Sequence, residues 1–470
     1  MDVFPNNRVI ISSALPLSKS GYGNQTLYMV DGFIRNKIEV PAIICWNVNT
    51  TNLIKDVNNP YKMKDILNIF FPEEKGKAIL KIHDFIDDVN DAYLETFGNI
   101  HIYPVLSETY HEGNYKIETS KWFDHICVKE RCKIIIFHQD FFPYQHLEKS
   151  FMAHSILFAP LHYYPLDEPN KRAIKHFEYL IGLCDFGVDL LKSQFPDKKI
   201  EKIPLCVDSK MYYRGERDKS FHKTQLGFNK THFVCAMVAN NEEYVDRKVF
   251  LQNLKAFALF QKTHKNARLY LHTKTSKVLN LMSLLKKENV KNKYIKTCNQ
   301  IKYESHGYSR TDVANIYRGC DVLLCASKSE GFGIPIIESQ ACGCAVITTD
   351  FSAMPELTVN GISTKYSKQE PFHDDQNVYW AIPDVDNIVC ALKTIYDRTP
   401  EESHHYQNAG IEFTQQFSKE ILADKLIQLI QQIPSQQLQE NKGVDFQEMF
   451  QSMNHNQKLP DSFPRELLKL

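Results

Sequence analysis

The sequence predicts an α/β protein built from two doubly wound, parallel-sheet domains. Three observations predict it. At 470 residues the chain is too long for one core and suits two domains of about 200 residues plus extra segments. In each half, short apolar runs alternate with helical stretches, the pattern of a parallel sheet covered on both faces. Between the halves, residues 212–229 are charged and poorly periodic, as a linker should be.

Taken in order, the first-half strands are expected at 9–13, 42–46, 100–105, 134–137, 156–159 and 203–207. Arg8 followed by an apolar run could pass for a minimal signal peptide. That run is short, follows Asp2 and two asparagines, and enters a glycine-rich turn, so a first buried strand is the better reading. The turn is Ser20-Gly21-Tyr22-Gly23-Asn24-Gln25-Thr26, with an apolar helix from Leu27. Against the dinucleotide fingerprint G-x-G-x-x-G the third glycine is missing, since Thr26 holds its place, and no acidic residue closes a second strand near 41–46. Residues 47–97 read as mainly helical and polar, with 84–89 at helical spacing. Second-half strands are expected at 233–238, 269–272, 294–298, 322–325 and 345–348. Beyond about Gln436 the chain turns glutamine-rich, a tail that docks or stays loose.

The segment from Ser327 to Gly343 carries the chemistry. Glu330 lies on a glycine-rich turn and Glu338 one turn into a short helix, eight positions on. Pro335 suits the start of that helix, where its missing N–H would have no partner anyway. Gly343 suits the exit, where a left-handed conformation is needed. The free N–H groups of turn and helix start form an anion site that suits a phosphate. Glu338, close behind, can accept two hydrogen bonds from a vicinal diol such as a ribose. The pattern reads as a nucleotide diphosphate site with a sugar beside it.

With Asp321-Val322-Leu323-Leu324, Glu330-Gly331-Phe332-Gly333, Glu338 and Met354-Pro355-Glu356-Leu357, residues 314–357 resemble the E-x7-E signature of retaining glycosyltransferases of family four. The resemblance implies the GT-B fold: two Rossmann-like domains facing a central cleft. It implies an acceptor-side domain over 1–211, a linker over 212–229, a nucleotide-sugar domain over 230–420, a crossover helix over 421–434 and a tail over 435–470. Gly21 and Gly23 would let backbone approach the donor diphosphate. Lys248 sits where the family keeps its basic residue. The arginine usual about six positions earlier is absent, with Asn241 and Glu242 there, while Arg247 adjoins the lysine. His272 and Thr273 resemble a strand end facing the cleft, and His306-Gly307-Tyr308-Ser309 resembles the loop along the nucleobase. Gly331, Phe332, Gly333 and Ile334 complete the expected donor site with Glu338. On the acceptor side either His138 or His162 could be the histidine near the anomeric carbon, and the segment 161–167 is the more similar to the family. Leu205 and Cys206 stand where the family commonly has histidine and glycine, so that segment is assigned no chemistry.

Composition bounds the rest. With 56 basic and 56 acidic residues the chain has no net bias toward nucleic acid or anionic membrane. Its 43% hydrophobic and 12% aromatic content indicates a globular protein. No run approaches the roughly eighteen apolar residues that span a bilayer, which leaves room for peripheral membrane contact only. Twelve scattered cysteines read as reduced thiols in a cytoplasmic protein, and neither Cys342-Gly343-Cys344 nor Cys127 with Cys132 has zinc spacing. The activity that the resemblance implies is transfer of a sugar from a UDP- or GDP-sugar to a glycan, lipid-linked sugar or protein acceptor, with retention and without cofactor or metal. Glu330, His162 and Lys248 would be catalytic, with Lys248 and Arg247 neutralising the leaving diphosphate. Two other classes share the pattern: a non-catalytic nucleotide-sugar or glycan binder, and a GT-B epimerase or phosphorylase.

Overall fold

The structure, a computed structural model, describes residues 7–18, 20–46, 60–70, 78–86, 88–105, 108–111, 114–116, 120–147, 150–242, 246–305, 307–371 and 378–434. The glutamine-rich tail expected at 435–470 and His306 of the expected nucleobase loop lie outside these. The strands are, in chain order, β1 (Ile10–Ser13), β2 (Ala42–Cys45), β3 (Tyr61–Lys62), β4 (His101–Pro104), β5 (Glu108–His111), β6 (Asn114–Lys116), β7 (Ile134–Phe137), β8 (His154–Ala159), β9 (Tyr179–Gly182) and β10 (Lys199–Lys202). They continue with β11 (Phe233–Val238), β12 (Ala267–His272), β13 (Ile295–Thr297), β14 (Val322–Cys325), β15 (Ala345–Thr349), β16 (Ile362–Thr364), β17 (Tyr366–Pro371) and β18 (Tyr379–Pro383).

Two large sheets result. The first has the order β10-β9-β8-β7-β1-β2-β4-β3, the second β13-β12-β11-β14-β15-β16. All neighbours run parallel except β3, which pairs antiparallel with β4 at the edge. Central strands such as β1, β2, β7 and β8 are buried along their whole length, because helices cover both faces. In the first sheet the chain winds outward from β1 to β4, then returns to the other side of β1 at β7. In the second it winds from β11 to β13 and returns beside β11 at β14. Ligands gather at the carboxyl ends of strands flanking such reversals. Arg247 and Lys248 follow β11 and Glu330 follows β14, so the fold itself brings them to one place.

The helix Lys419–Gln431 then crosses back to the first sheet's helix Gly21–Arg35. A Cβ on Gly32 would lie 2.4 Å from that of Ala423, so glycine permits this close crossing. Lys419 Nζ pairs with buried Asp31 at 3.3 Å, and buried Lys133 donates to the Pro434 carbonyl at 3.0 Å.

Three expectations need correction. Residues 203–207 are not a strand: the run is apolar because it is buried at a junction, where Cys206 exchanges hydrogen bonds with the Gln25 side chain and Val207 N–H donates to Phe417 O. The strand lies just before it, in β10, whose alternating exposure marks an edge. The helical spacing at 84–89, of which Asp87 lies outside the described residues, does not give an α-helix among the described ones: a 3-10 helix, Ala78–Asp84, ends there and Asp88 takes a positive φ of 55°. The glycines after β1 are not a turn before a helix. They form its first turn, with Ser20 as the N-cap accepting from Gly23 N–H at 3.0 Å. The segment 212–229, expected as the linker, includes a helix, Lys219–Gln225, capped by Asp218 and packed on the helix Arg310–Gly319.

Candidate active site

The turn after β14 is shaped by its glycines. Gly333 adopts φ 99° as the N-cap of the helix Ile334–Ala341, and Gly343 leaves that helix region with φ 73°. A Cβ on Gly331 would sit 3.0 Å from the Pro160 backbone, so this turn rests directly against the carboxyl end of β8 in the facing sheet. Across the same gap, the open position at Gly21 lies 3.4 Å from Ile334 Cδ1. Gly23 is turned elsewhere: Ser18 fills the space its Cβ would need. Phe332 is buried against Phe417, with ring centroids 5.7 Å apart, and serves packing.

Glu330 is the centre of the site. Its Oε1 accepts from Lys248 Nζ at 2.6 Å and Ser327 Oγ at 2.8 Å, and its Oε2 from Arg247 Nη1 at 3.0 Å. Burial would raise its pKa, but the Lys248 and Arg247 charges outweigh that and hold the carboxyl down at about 2. Its backbone N–H donates to Ser352 Oγ at 3.0 Å. Arg247 and Lys248 therefore act on one carboxylate, and the loop is braced to present them. Lys328 N–H donates to Arg247 O at 2.8 Å, and Asp246 caps the following helix Phe250–Thr263 through Phe250 N–H at 3.0 Å. Asn241, where the resembling family keeps an arginine, is buried and bonds the backbone of Lys274 and Leu279. Glu242 pairs with Lys274. Neither faces the cluster's carboxylate.

Of the two histidines, His162 reaches the turn: its Nδ1 lies 3.3 Å from Ser329 Oγ. Burial first, then the Arg247 and Lys248 charges, push its pKa down to about 3 against a partial opposing pull from Glu330, so the ring is neutral at pH 7. His138 lies in the first sheet's core, 3.1 Å from Ser13 Oγ and edge-on to Phe158. It does not meet the turn directly.

Glu338 has a different setting. Tyr317 Oη donates to its Oε2 at 3.1 Å and Tyr212 also bonds it. Burial raises its pKa to about 7 despite those bonds and the Arg310 charge, although the residue keeps a partly open flank. Arg310 starts the helix Arg310–Gly319 and donates to Tyr28 Oη at 2.9 Å. At the end of β12, His272 lies edge-on to Tyr308 at 4.7 Å and to Tyr303 at 5.3 Å, while Tyr308 Oη accepts from Asn299 N–H at 2.7 Å. Among the described residues, buried His272 Nδ1 and Thr273 Oγ1 have no hydrogen-bond partner. Burial pushes the His272 pKa down to about 4.

Sequence reading missed Ser327, Ser352, Tyr212, Tyr317 and Arg310. Only Ser327 left a local signal, since a buried carboxylate needs donors and a hydroxyl three residues before it can supply one. Among the described residues no group of three His, Cys, Asp or Glu could hold a metal ion, and no helix is long and apolar enough to cross a membrane.

Two parallel sheets joined by a cleft and a returning C-terminal helix make this a GT-B fold, as in known glycosyltransferases. Sucrose-phosphate synthase from Thermosynechococcus elongatus superposes with a TM-score of 0.61 at 14% identity, over 90% of this chain and 98% of that one. WaaG, a glycosyltransferase involved in lipopolysaccharide biosynthesis, gives 0.58 at 11%, over 90% and 100%. Anabaena HepE, in complex with UDP and glucose, gives 0.57 at 12%, over 91% and 100%. In the second half, residues 218–382 match the family model of the glycosyl transferases group 1. A curated relative, the D-inositol 3-phosphate glycosyltransferase of Mycolicibacterium smegmatis, is 36% identical over 55 residues, 12% of this chain and 13% of its own length. N-acetyl-alpha-D-glucosaminyl L-malate synthase of Bacillus anthracis is 23% identical over 166 residues, 35% of this chain and 39% of its own. The chain thus matches well under two thirds of these curated relatives.

Proposed function

We propose that the protein is a retaining glycosyltransferase that moves a sugar from a nucleotide-diphosphate sugar to an acceptor hydroxyl. The observation that carries this reading is one charge cluster: Glu330 held ionised by Arg247 and Lys248, with neutral His162 of the facing sheet against the same turn.

Breaking the anomeric carbon–oxygen bond sends its electron pair to the diphosphate and leaves an oxocarbenium-like sugar. Lys248 and Arg247 would turn from Glu330 toward the leaving phosphate as its charge grows, an interaction stronger in the transition state than in the ground state. The N–H groups at Gly333 and the start of its helix would hold the same phosphate. Glu330 would take hydroxyls of the donor sugar and offset positive character on its ring. The new bond forms on the face the diphosphate leaves, and the acceptor proton passes to the departing phosphate oxygen. Neutral His162 is suited to hydrogen-bond the donor sugar without adding charge beside the cation. Glu338 would hold the ribose diol, with His272, Thr273 and Tyr308 toward the base. The cations fill the part a divalent ion would otherwise play, so transfer should proceed in EDTA. The cytoplasm, where nucleotide sugars and reduced thiols coexist, is the proposed compartment.

A thermal-shift panel of UDP-, GDP- and ADP-sugars would identify the donor, since a ligand at 100 times its Kd stabilises by about 2.7 kcal/mol. Release of nucleoside diphosphate only when an acceptor is present supports transfer. A thermal shift without any release would make the protein a binder and reject the proposal.

A further inference from the structure

We propose that Trp46, Tyr22 and Asp140 form the acceptor subsite, and that its occupant is a neutral pyranose ring stacked on the Trp46 indole. This rests on the transferase reading above and adds the acceptor's chemical class.

The three residues come from separate elements that meet at the first sheet's reversal point. Trp46 follows β2, Tyr22 opens the helix after β1, and Asp140 follows β7. Tyr22 Oη donates to Asp140 Oδ1 at 2.8 Å, and its ring meets Trp46 edge-to-face at 5.8 Å and 86°. The group is therefore a fixed surface rather than three loose side chains.

Its position is the acceptor side of the cleft. Tyr22 adjoins Gly21, where an added Cβ would lie 3.4 Å from Ile334 Cδ1 of the facing domain. The Arg247 charge is felt at Tyr22 and the Asp140 charge at Tyr163, next to His162. An attacking hydroxyl held here would approach the cation–Glu330 cluster from the opposite wall.

The chemistry selects a sugar. Trp46 is 46% exposed, whereas Trp122 and Trp380 are each 1% exposed, so one indole is left open at a cleft edge where buried packing does not explain it. An aromatic face matches the C–H face of a pyranose. Asp140 and Tyr22 beside it offer acceptor oxygens to ring hydroxyls. The same carboxylate disfavours a phosphate headgroup, and its charge is costly next to an alkyl chain.

Because the other two tryptophans are buried, iodide quenching of intrinsic fluorescence reads Trp46. With UDP present, methyl glucosides, galactosides and mannosides and maltose are titrated, with octyl phosphate and a Ser/Thr-rich peptide as the other arms. At least one pyranoside should shield Trp46 saturably. Asp140→Asn should raise that sugar's Kd by about tenfold, and Trp46→Ala should raise its KM while kcat changes less. UDP affinity by calorimetry should stay within twofold in both variants, which also shows that they fold. If UDP binds and no pyranoside shields Trp46, or if only the phosphate or the peptide does, the subsite proposal is overturned while the transferase reading stands. If neither UDP nor any nucleotide sugar binds the wild type, the transferase reading itself fails.

Discussion

Two glutamates eight positions apart on one turn and helix have opposite surroundings. Glu330 meets two cations and a serine hydroxyl, and its pKa falls to about 2. Glu338 meets tyrosines, and burial lifts its pKa to about 7. The contrast teaches how one short motif divides its labour. Glu330, proposed to stay charged beside a developing cation, is pinned by Lys248 and Arg247. Glu338, proposed to receive a diol, is buried among tyrosines, where a ligand's hydroxyls would replace the missing solvent. Pairs of titratable groups pushed apart in this way identify roles better than the residue types do.

The comparison breaks most severely on the Glu330 side. Lys248→Ala should lower kcat by about a hundred- to a thousandfold, the scale for losing a preorganised group that faces developing charge. Arg247→Ala should cost less, because its contact with Glu330 is longer, 3.0 against 2.6 Å. Steady-state kinetics on both variants decide the order, and a larger loss in Arg247→Ala would shift the leaving-group role to the arginine.

On the Glu338 side the effect moves to binding. Glu338→Ala should weaken nucleotide affinity by about 1.5–3 kcal/mol, as for a charge-assisted hydrogen bond, with the fold intact. Unchanged affinity by calorimetry in the folded variant removes the ribose role.

The smallest effect is on stability against pH. A carboxyl whose folded pKa exceeds its unfolded value contributes stability that is full below about 4.5 and lost as pH rises through about 7. Glu338→Gln mimics the neutral form and lacks that loss. Between pH 5 and pH 8 the Tm of wild type should therefore fall relative to the variant by about 2–4 °C, the shift of roughly 1 kcal/mol for a chain with domains of this size. That is less than the full pKa displacement would give, because the open flank admits solvent. A difference independent of pH would mean Glu338 is ionised in the fold at both values.

The same comparison explains what was legible in the sequence. β7, β11 and β14 were read to the residue, because central parallel strands are continuous apolar runs. The edge strand β10, with Lys199, Glu201 and Lys202, carries no such run, and the buried junction at 203–207 imitated one. In the site, the glycines and proline around Glu330 announce a turn locally. The cationic partners of Glu330 are 82 and 83 residues away and the tyrosines of Glu338 meet it only through the tertiary fold. Tyr212, in the charged and poorly periodic segment 212–229, is buried beside Glu338, a placement no local pattern announces. Local geometry was written in the sequence; the electrostatic split between the two glutamates arises from packing.

Front-face transfer at a diphosphate neutralised by Arg247 and Lys248, as proposed, requires retention at the anomeric carbon. Proton NMR of the product's anomeric coupling, recorded before mutarotation on the nucleotide sugar that gives the largest thermal shift, tests it most directly. A product with the donor's anomeric configuration is the predicted result, and an inverted product would contradict the account.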